Sequence, residues 1–255
     1  MSAAPIQSKD LGNVRVAAIN IYFLTGRSRS RSEGKPKPHK RCRGTGAEPP
    51  VPALWFMPTK LPRSFYSRPA LDVASDLLGK VLVRRLRRRN LAGEIVETEA
   101  YVGPHDLACH ASKGHTPRTA VMFGDPGHAY VYMIYGFHFC LNVVTEPAGY
   151  PAAVLIRAVE PLENAQVMRR LRNNPAREID IGSGPGKLCK AMSIDKNLNG
   201  EDLLGNTLWI EDRKLDAGKI RTSPRVGVDY AGEYKDKPWR FYVDGNPHVS
   251  RVRFK

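Results

Sequence analysis

From about Leu61 onward the chain alternates short apolar runs with turn residues, the texture of a packed domain. Leu71, Ala74, Leu77 and Leu78 recur at helical spacing, which predicts a helix over Ala70–Leu78, with Gly79 as its C-terminal stop. KVLVRR (80–85) and GEIVETEAYV (93–102) alternate as strands do and frame the basic turn RLRRRNLA, so they predict a β-hairpin. Residues 129–135 and 137–144 are rich in aromatic and β-branched side chains on either side of Gly136, predicting a second strand pair. AAVLIRA (152–158) predicts a strand buried on both faces, and residues 162–173 an amphipathic basic helix. A further helix is expected over 187–193 behind the loop GSGPG, and late strands at 207–211 and 239–243. There is no internal repeat and no regular α/β alternation. The expected class is therefore α+β: one domain, residues 61–255, around a mostly antiparallel sheet with flanking helices.

Residues 1–60 read differently. They carry 11 Lys+Arg against 3 Asp+Glu, leaving 29 against 22 for the remainder of a chain whose formal charge is +15. The segment 26–52 is rich in Arg, Lys, Ser, Gly and Pro and cannot bury enough apolar surface to offset chain ordering, so a disordered basic extension is expected. The apolar run Val14–Leu24 is too short to span a bilayer and lacks signal-peptide flanks, and Met57 is a plausible alternative start. With no run of about 18 apolar residues, a membrane span is not expected. Cys42, Cys109, Cys140 and Cys189 have no metal-site or CxxC spacing and are expected as reduced thiols in a reducing compartment. The positive excess favours a polyanionic partner, because Lys and Arg displace counterions from phosphates.

Strand alternation places Ile95, Glu97, Glu99 and Tyr101 on one face and Val96, Thr98 and Ala100 on the other. Three uses of that face stay open: a solvated strand, one glutamate as a general base beside Tyr101, or both as the carboxylate pair of an inverting glycoside hydrolase. His110, within a loop, gains meaning only if the loop folds back over Glu99. Tyr130, Tyr132, Tyr135, Phe137 and Phe139 form the densest aromatic cluster. Tyr135, next to Gly136, is placed to project from a strand end, as a side chain entering a DNA stack must. Electron-rich rings such as Tyr101 and Tyr132 would attract a cationic alkylated purine. Asn142 and Arg157 lie in otherwise apolar strands and need partners there. GSGPGKL lacks the Walker A spacing, which leaves Lys187 as a candidate DNA-phosphate contact rather than a triphosphate ligand.

The segments EIVETEAYVGPHDLACHA, PGHAYVYMIYGFHFCLNVV, AAVLIRAVEPLE, GSGPGKLCKAMSI and PRVGVDYAGEYKDKPWRFYV, in that order, resemble the alkyladenine (3-methyladenine) DNA glycosylase family of the mammalian type. The resemblance runs from about Leu61 to the C-terminus and implies a compact single domain around a curved antiparallel sheet. It implies a monofunctional, monomeric enzyme of base excision repair that flips a damaged purine out of duplex DNA and hydrolyses its N-glycosidic bond without metal or cofactor. By the same resemblance Glu99 activates the water and Arg157 lies near it. Tyr101 and Tyr132 stack on the base, His110 contacts it, Asn142 opposes the amine of normal guanine, and Tyr135 is the intercalating wedge. Glu97 becomes a bystander. A cytoplasmic, nucleoid-associated location is implied, or a nuclear one in a eukaryote. The short linker 173–182 leans towards a bacterial-type enzyme, and Phe137, where the mammalian form has methionine, leaves lesion preference open. Two rivals remain at this point: the glycoside hydrolase using Glu97 and Glu99, and a basic nucleic-acid-binding protein without catalysis.

Overall fold

A computed structural model describes residues 58–251. The basic segment 26–52, the apolar run Val14–Leu24, Cys42 and Met57 lie outside the described residues. Order already begins before residue 61: strand β1 (Thr59–Lys60) pairs with Glu211 and Asp212 of a late strand. There follow α1 (Arg63–Tyr66), α2 (Ala70–Asp76), β2 (Val81–Leu86), β3 (Arg89–Tyr101), β4 (Ala129–Ile134), β5 (His138–Thr145) and β6 (Ala152–Glu163). After them come α3 (Ala165–Leu171), α4 (Pro185–Ala191), β7 (Leu208–Asp212), β8 (Ile220–Ser223) and β9 (Arg240–Val243). The strands form one nine-stranded sheet with the path β1-β7-β2-β3-β6-β5-β4, and every pairing is antiparallel. This is the α+β class expected.

The 13-residue strand β3 is the spine. Its first half pairs with β2 and its second half with β9, while β6 runs along its other edge. The register against β6 shifts on either side of Glu97: Ile95 faces Val159, Glu97 faces Ala158 and Thr98 faces Ile156. Val96 in β3 and Arg157 in β6 are thereby left as bulged residues, and bulges bend strands and re-aim side chains. Simple alternation put Ile95 with the glutamates; instead it joins Val96 and Ala100 in the main apolar core.

Period-2 alternation otherwise sorts the faces. Ala100, Ala129, Val131, Leu141, Val143, Val154, Ile156 and Ala158 join the main core, to which α2 contributes Ala70, Val73 and Ala74 and α4 contributes Leu188, Cys189 and Ala191. Thr98 points the same way and donates to the Ala74 carbonyl at 2.7 Å. The opposite face of the strands carries the polar and aromatic set described below. The expected basic helix is shorter than 162–173, because β6 continues to Glu163 before Asn164 turns the chain into α3. GSGPG is a packing loop: a Cβ at Gly182 would collide with the Val159 carbonyl, so only glycine lets the loop pass against β6.

Candidate active site

Tyr101 of β3, Tyr130 and Tyr132 of β4, Cys140 and Asn142 of β5, and Leu155 and Arg157 of β6 converge on a cavity of about 420 Å³. The loop after β3 supplies Cys109 and His110, and the segment 226–230 supplies Val226, Val228 and Tyr230. That volume lies within the range of small-molecule sites. The condition set by the sequence is therefore met: the His110 loop does fold back beside Tyr101.

Glu99 is 0% exposed, which excludes a solvated strand face. Its Oε2 accepts from the Tyr101 hydroxyl at 2.9 Å and its Oε1 from the Val226 backbone N–H at 2.7 Å, and Oε1 forms an ion pair with Arg157 Nη1 at 3.1 Å. The carboxylate itself does not line the large cavity; it sits directly behind the wall formed by these three partners. A second cavity of about 250 Å³ shares Arg157 and Val226 with the first and is bordered by Ser183, Gly184, Lys187, Ser250 and Arg251. The two hollows thus meet at the groups that hold Glu99. Lys187 at the second is 3.0 Å from Asp180 and 3.4 Å from the Ser183 hydroxyl.

Glu97 is neither solvated nor a bystander. It is also 0% exposed. Its Oε1 accepts from Arg157 Nε and Arg240 Nε, each at 2.7 Å, and from the Ser250 hydroxyl at 2.8 Å; its Oε2 accepts from the Ser250 backbone N–H at 2.7 Å. Burial alone would raise its pKa, but Arg157, Arg240 and the Ser250 amide outweigh that and hold it below the usual carboxylate value. Four hydrogen bonds occupy its two oxygens, against two and an ion pair on Glu99. Tyr101 and Val226, which hold Glu99, border the large cavity while Arg240 and Ser250, which hold Glu97, do not; this weighs against the paired-carboxylate hydrolase reading. The work of Glu97 is to hold Arg157, and through it Glu99.

Burial, and after it the Glu99 charge, raises the Tyr101 pKa, so the hydroxyl stays protonated and donates to Glu99. The Tyr101 ring is backed by Arg225, whose guanidinium lies 4.7 Å from its centroid and 4.9 Å from that of Trp239. Arg225 is fixed in turn by a bidentate pair with Asp106, at 2.6 and 2.8 Å, with both side chains fully buried. None of this support was identified from sequence. A backbone donor such as Val226 leaves no trace in residue type, and Asp106 and Arg225 lie 119 residues apart.

His110 packs edge-on to the Tyr132 ring, 4.5 Å between centroids, and its Nδ1 is 2.9 Å from the Tyr130 hydroxyl. Burial, then the nearby Arg118 and Lys113 charges, push its pKa down to about 4, so the ring is neutral at pH 7. If the Tyr130 hydroxyl donates to Nδ1, the neutral ring carries its proton on Nε2. An unfolded histidine titrates near 6.5 while this one resists protonation to about 4, so its stabilising contribution is complete above 6.5 and lost as pH falls through that interval. Melting temperatures of the wild type and His110→Gln between pH 4 and 7 check this: the variant's curve is expected to fall less steeply on acidification. Arg118, also missed from sequence, lies 5.2 Å from the Tyr132 ring centroid.

Asn142 Nδ2 donates to the Tyr130 carbonyl at 3.1 Å, which orients the amide across the β4–β5 pair. Tyr135 borders the cavity and stands at the tip of the β4–β5 hairpin in the left-handed region, φ 51°, followed by Gly136 at φ 77°. It is 82% exposed, and Phe137 (70%) and Met133 (50%) flank it in an apolar tip that a solitary soluble surface would not favour. Cys109, Cys140 and Cys189 are buried free thiols; burial pushes the first two, which line the cavity, up to about 11.

Among known proteins, the family model described as methylpurine-DNA glycosylase (MPG) matches residues 64–247. Curated relatives bearing the name "Putative 3-methyladenine DNA glycosylase" include one from Methanocella arvoryzae, 58% identical over 192 residues, covering 75% of this chain and 96% of its own length. One from Desulfitobacterium hafniense is 48% identical over 199 residues, 75% of this chain and 98% of its own. One from Legionella pneumophila is 49% identical over 194 residues, 76% and 99%.

Proposed function

The chain belongs to the methylpurine-DNA glycosylase family, enzymes of DNA repair, and from that premise we propose how its residues excise a base. The damaged purine, turned out of the duplex, occupies the 420 Å³ cavity between Tyr101 and the His110–Tyr132 pair. Its deoxyribose then lies where the two cavities meet, with its phosphate towards Lys187. Glu99 orients a water beside Tyr101, Arg157 and Val226, takes its proton as it attacks C1′, and stabilises the positive charge that develops on the sugar. Arg157, in an ion pair with Glu99, holds it in place. His110 Nε2–H donates to an acceptor on the base, and Asn142 stands against the exocyclic amine of normal guanine. Tyr135 fills the gap left in the stack.

The observation that carries this reading is the fully buried Glu99 carboxylate, held by the Tyr101 hydroxyl, the Val226 amide and an ion pair with Arg157 directly behind the wall of an aromatic cavity. The test is incubation of the purified protein with methylated duplex DNA and chromatography of the released bases. Free 3-methyladenine is expected from the wild type and not from Glu99→Gln; equal release by both would refute the role of Glu99.

Tyr135 can be tested apart from the chemistry. Tyr135→Ser removes the ring that stands in for the extruded base, so excision from duplex DNA is expected to fall at least about tenfold, the loss of roughly 1–3 kcal/mol of stacking. Excision from single-stranded DNA, which has no stack to open, should change far less. Parallel losses on both substrates would assign the ring to the pocket instead of the duplex.

A further inference from the structure

The turn between β2 and β3 has no part in the site described above. Five arginines fall within six residues there: Arg84 and Arg85 near the end of β2, Arg87 and Arg88 in the turn, and Arg89 opening β3. Arg84 is half-buried and serves the fold, donating to the Thr207 carbonyl at 3.1 Å. The other four are exposed, and among the described residues none of them is in an ion pair. The carboxylates on neighbouring strands are engaged elsewhere. Glu211 and Glu163 hold Arg213, and Asp212 holds Lys80 and Lys214.

Two properties set this turn apart from an ordinary solvated one. Four like charges on one hairpin tip repel each other, which opposes folding. Arg87 moreover adopts φ 56°, a left-handed conformation for which two-residue hairpin turns ordinarily use glycine or asparagine. A turn selected for stability alone would carry neither feature.

Its position matters as much as its charge. Arg89 and Glu99 lie on the same strand ten positions apart, hence about 30 Å from each other at roughly 3.3 Å per residue. A nucleotide held at Glu99 is out of reach of the tip, but that spacing is close to one turn of B-DNA, about 34 Å.

We propose that the β2–β3 hairpin tip, through Arg85, Arg87, Arg88 and Arg89, is a second contact for the DNA phosphate backbone, separate from the lesion pocket. It rests on DNA being the substrate, not on the mechanism assigned to Glu99. The phosphates come from one of two sources: the flank of the bound duplex about ten base pairs from the lesion, or a second duplex. Either contact keeps the enzyme on DNA while the pocket is empty.

The test uses the full chain, the triple variant Arg87→Gly, Arg88→Ser, Arg89→Thr, and Arg87→Gly alone. Affinity for undamaged duplexes of about 10 and 30 base pairs is measured against salt, with single-turnover base release from a short lesion duplex as the control. Each phosphate contact contributes about 0.9 to the slope of log affinity against log salt, so the triple variant should lose about 2 to 3 of that slope and at least about tenfold in affinity at low salt. Base release from the short duplex should be unchanged, which shows that the pocket is intact. Losses confined to the long duplex assign the flank. Losses at both lengths, together with lost capture of a labelled duplex by protein already holding a lesion duplex, assign a second duplex. Arg87→Gly alone should raise the melting temperature by about 2 °C through relief of backbone strain while weakening binding, opposite signs that a structural residue would not show. An unchanged salt slope and affinity in the triple variant would overturn the proposal, as would a lower melting temperature with unaltered binding in Arg87→Gly.

Discussion

Glu99→Gln is expected to slow base release from methylated duplex DNA by about 100- to 10,000-fold, the usual contribution of a positioned general base, while affinity for the lesion is retained. The substitution is close to isosteric. The amide oxygen can still accept from Tyr101 or Val226, and Arg157 keeps Glu97 as a counter-charge, so the cavity should persist. What is lost is the lone pair that takes the proton and the negative charge facing the sugar as it becomes cationic. Single-turnover release of 3-methyladenine, with binding of the same duplex followed separately, is the decisive pair of measurements. Loss of binding in step with rate would instead make Glu99 a residue that builds the pocket.

Glu97→Gln should do the reverse: a large loss of stability. Arg157 and Arg240 are both nearly buried and share this carboxylate, so neutralising it leaves two guanidiniums with only Glu99 nearby. Breaking such a buried cluster from one side costs about 3–5 kcal/mol, equivalent to roughly 6–20 °C in melting temperature for a domain of this size. The sign of the pH dependence follows from the depressed pKa. The contribution of Glu97 is fully present above its unfolded value of about 4.5 and is lost as pH falls through the lower folded value. Thermal melting at pH 7 and pH 3.5 should therefore show the variant and the wild type converging in acid. A Glu97→Gln protein as stable as the wild type but devoid of activity would restore Glu97 to the chemistry.

Much of this was legible in the chain because it depends on local periodicity. The alternation in GEIVETEAYV placed Glu97, Glu99 and Tyr101 on one face, and the aromatic spacing around Gly136 marked the hairpin whose tip Tyr135 occupies. Element ends were less legible. β6 outruns its apolar stretch by five residues because pairing with β3, rather than hydrophobicity, keeps it extended to Glu163. The alternation failed outright at Val96, where a bulge moved Ile95 into the core.

The different fates of the two glutamates show where local information stops. By itself the sequence determined that two carboxylates and an aromatic ring share a strand face, that a histidine loop follows, and that Asn142 and Arg157 interrupt apolar strands, because strand geometry is set by neighbours along the chain. Which carboxylate is bound up in structure and which adjoins the cavity was decided only by the fold. Ser250, Arg240, Val226 and Arg225 reach β3 from more than 120 residues away, and each acts through a hydrogen bond or charge contact that exists only once the sheet has closed. Burial and electrostatics depend on everything within a few ångströms, whatever its distance in sequence.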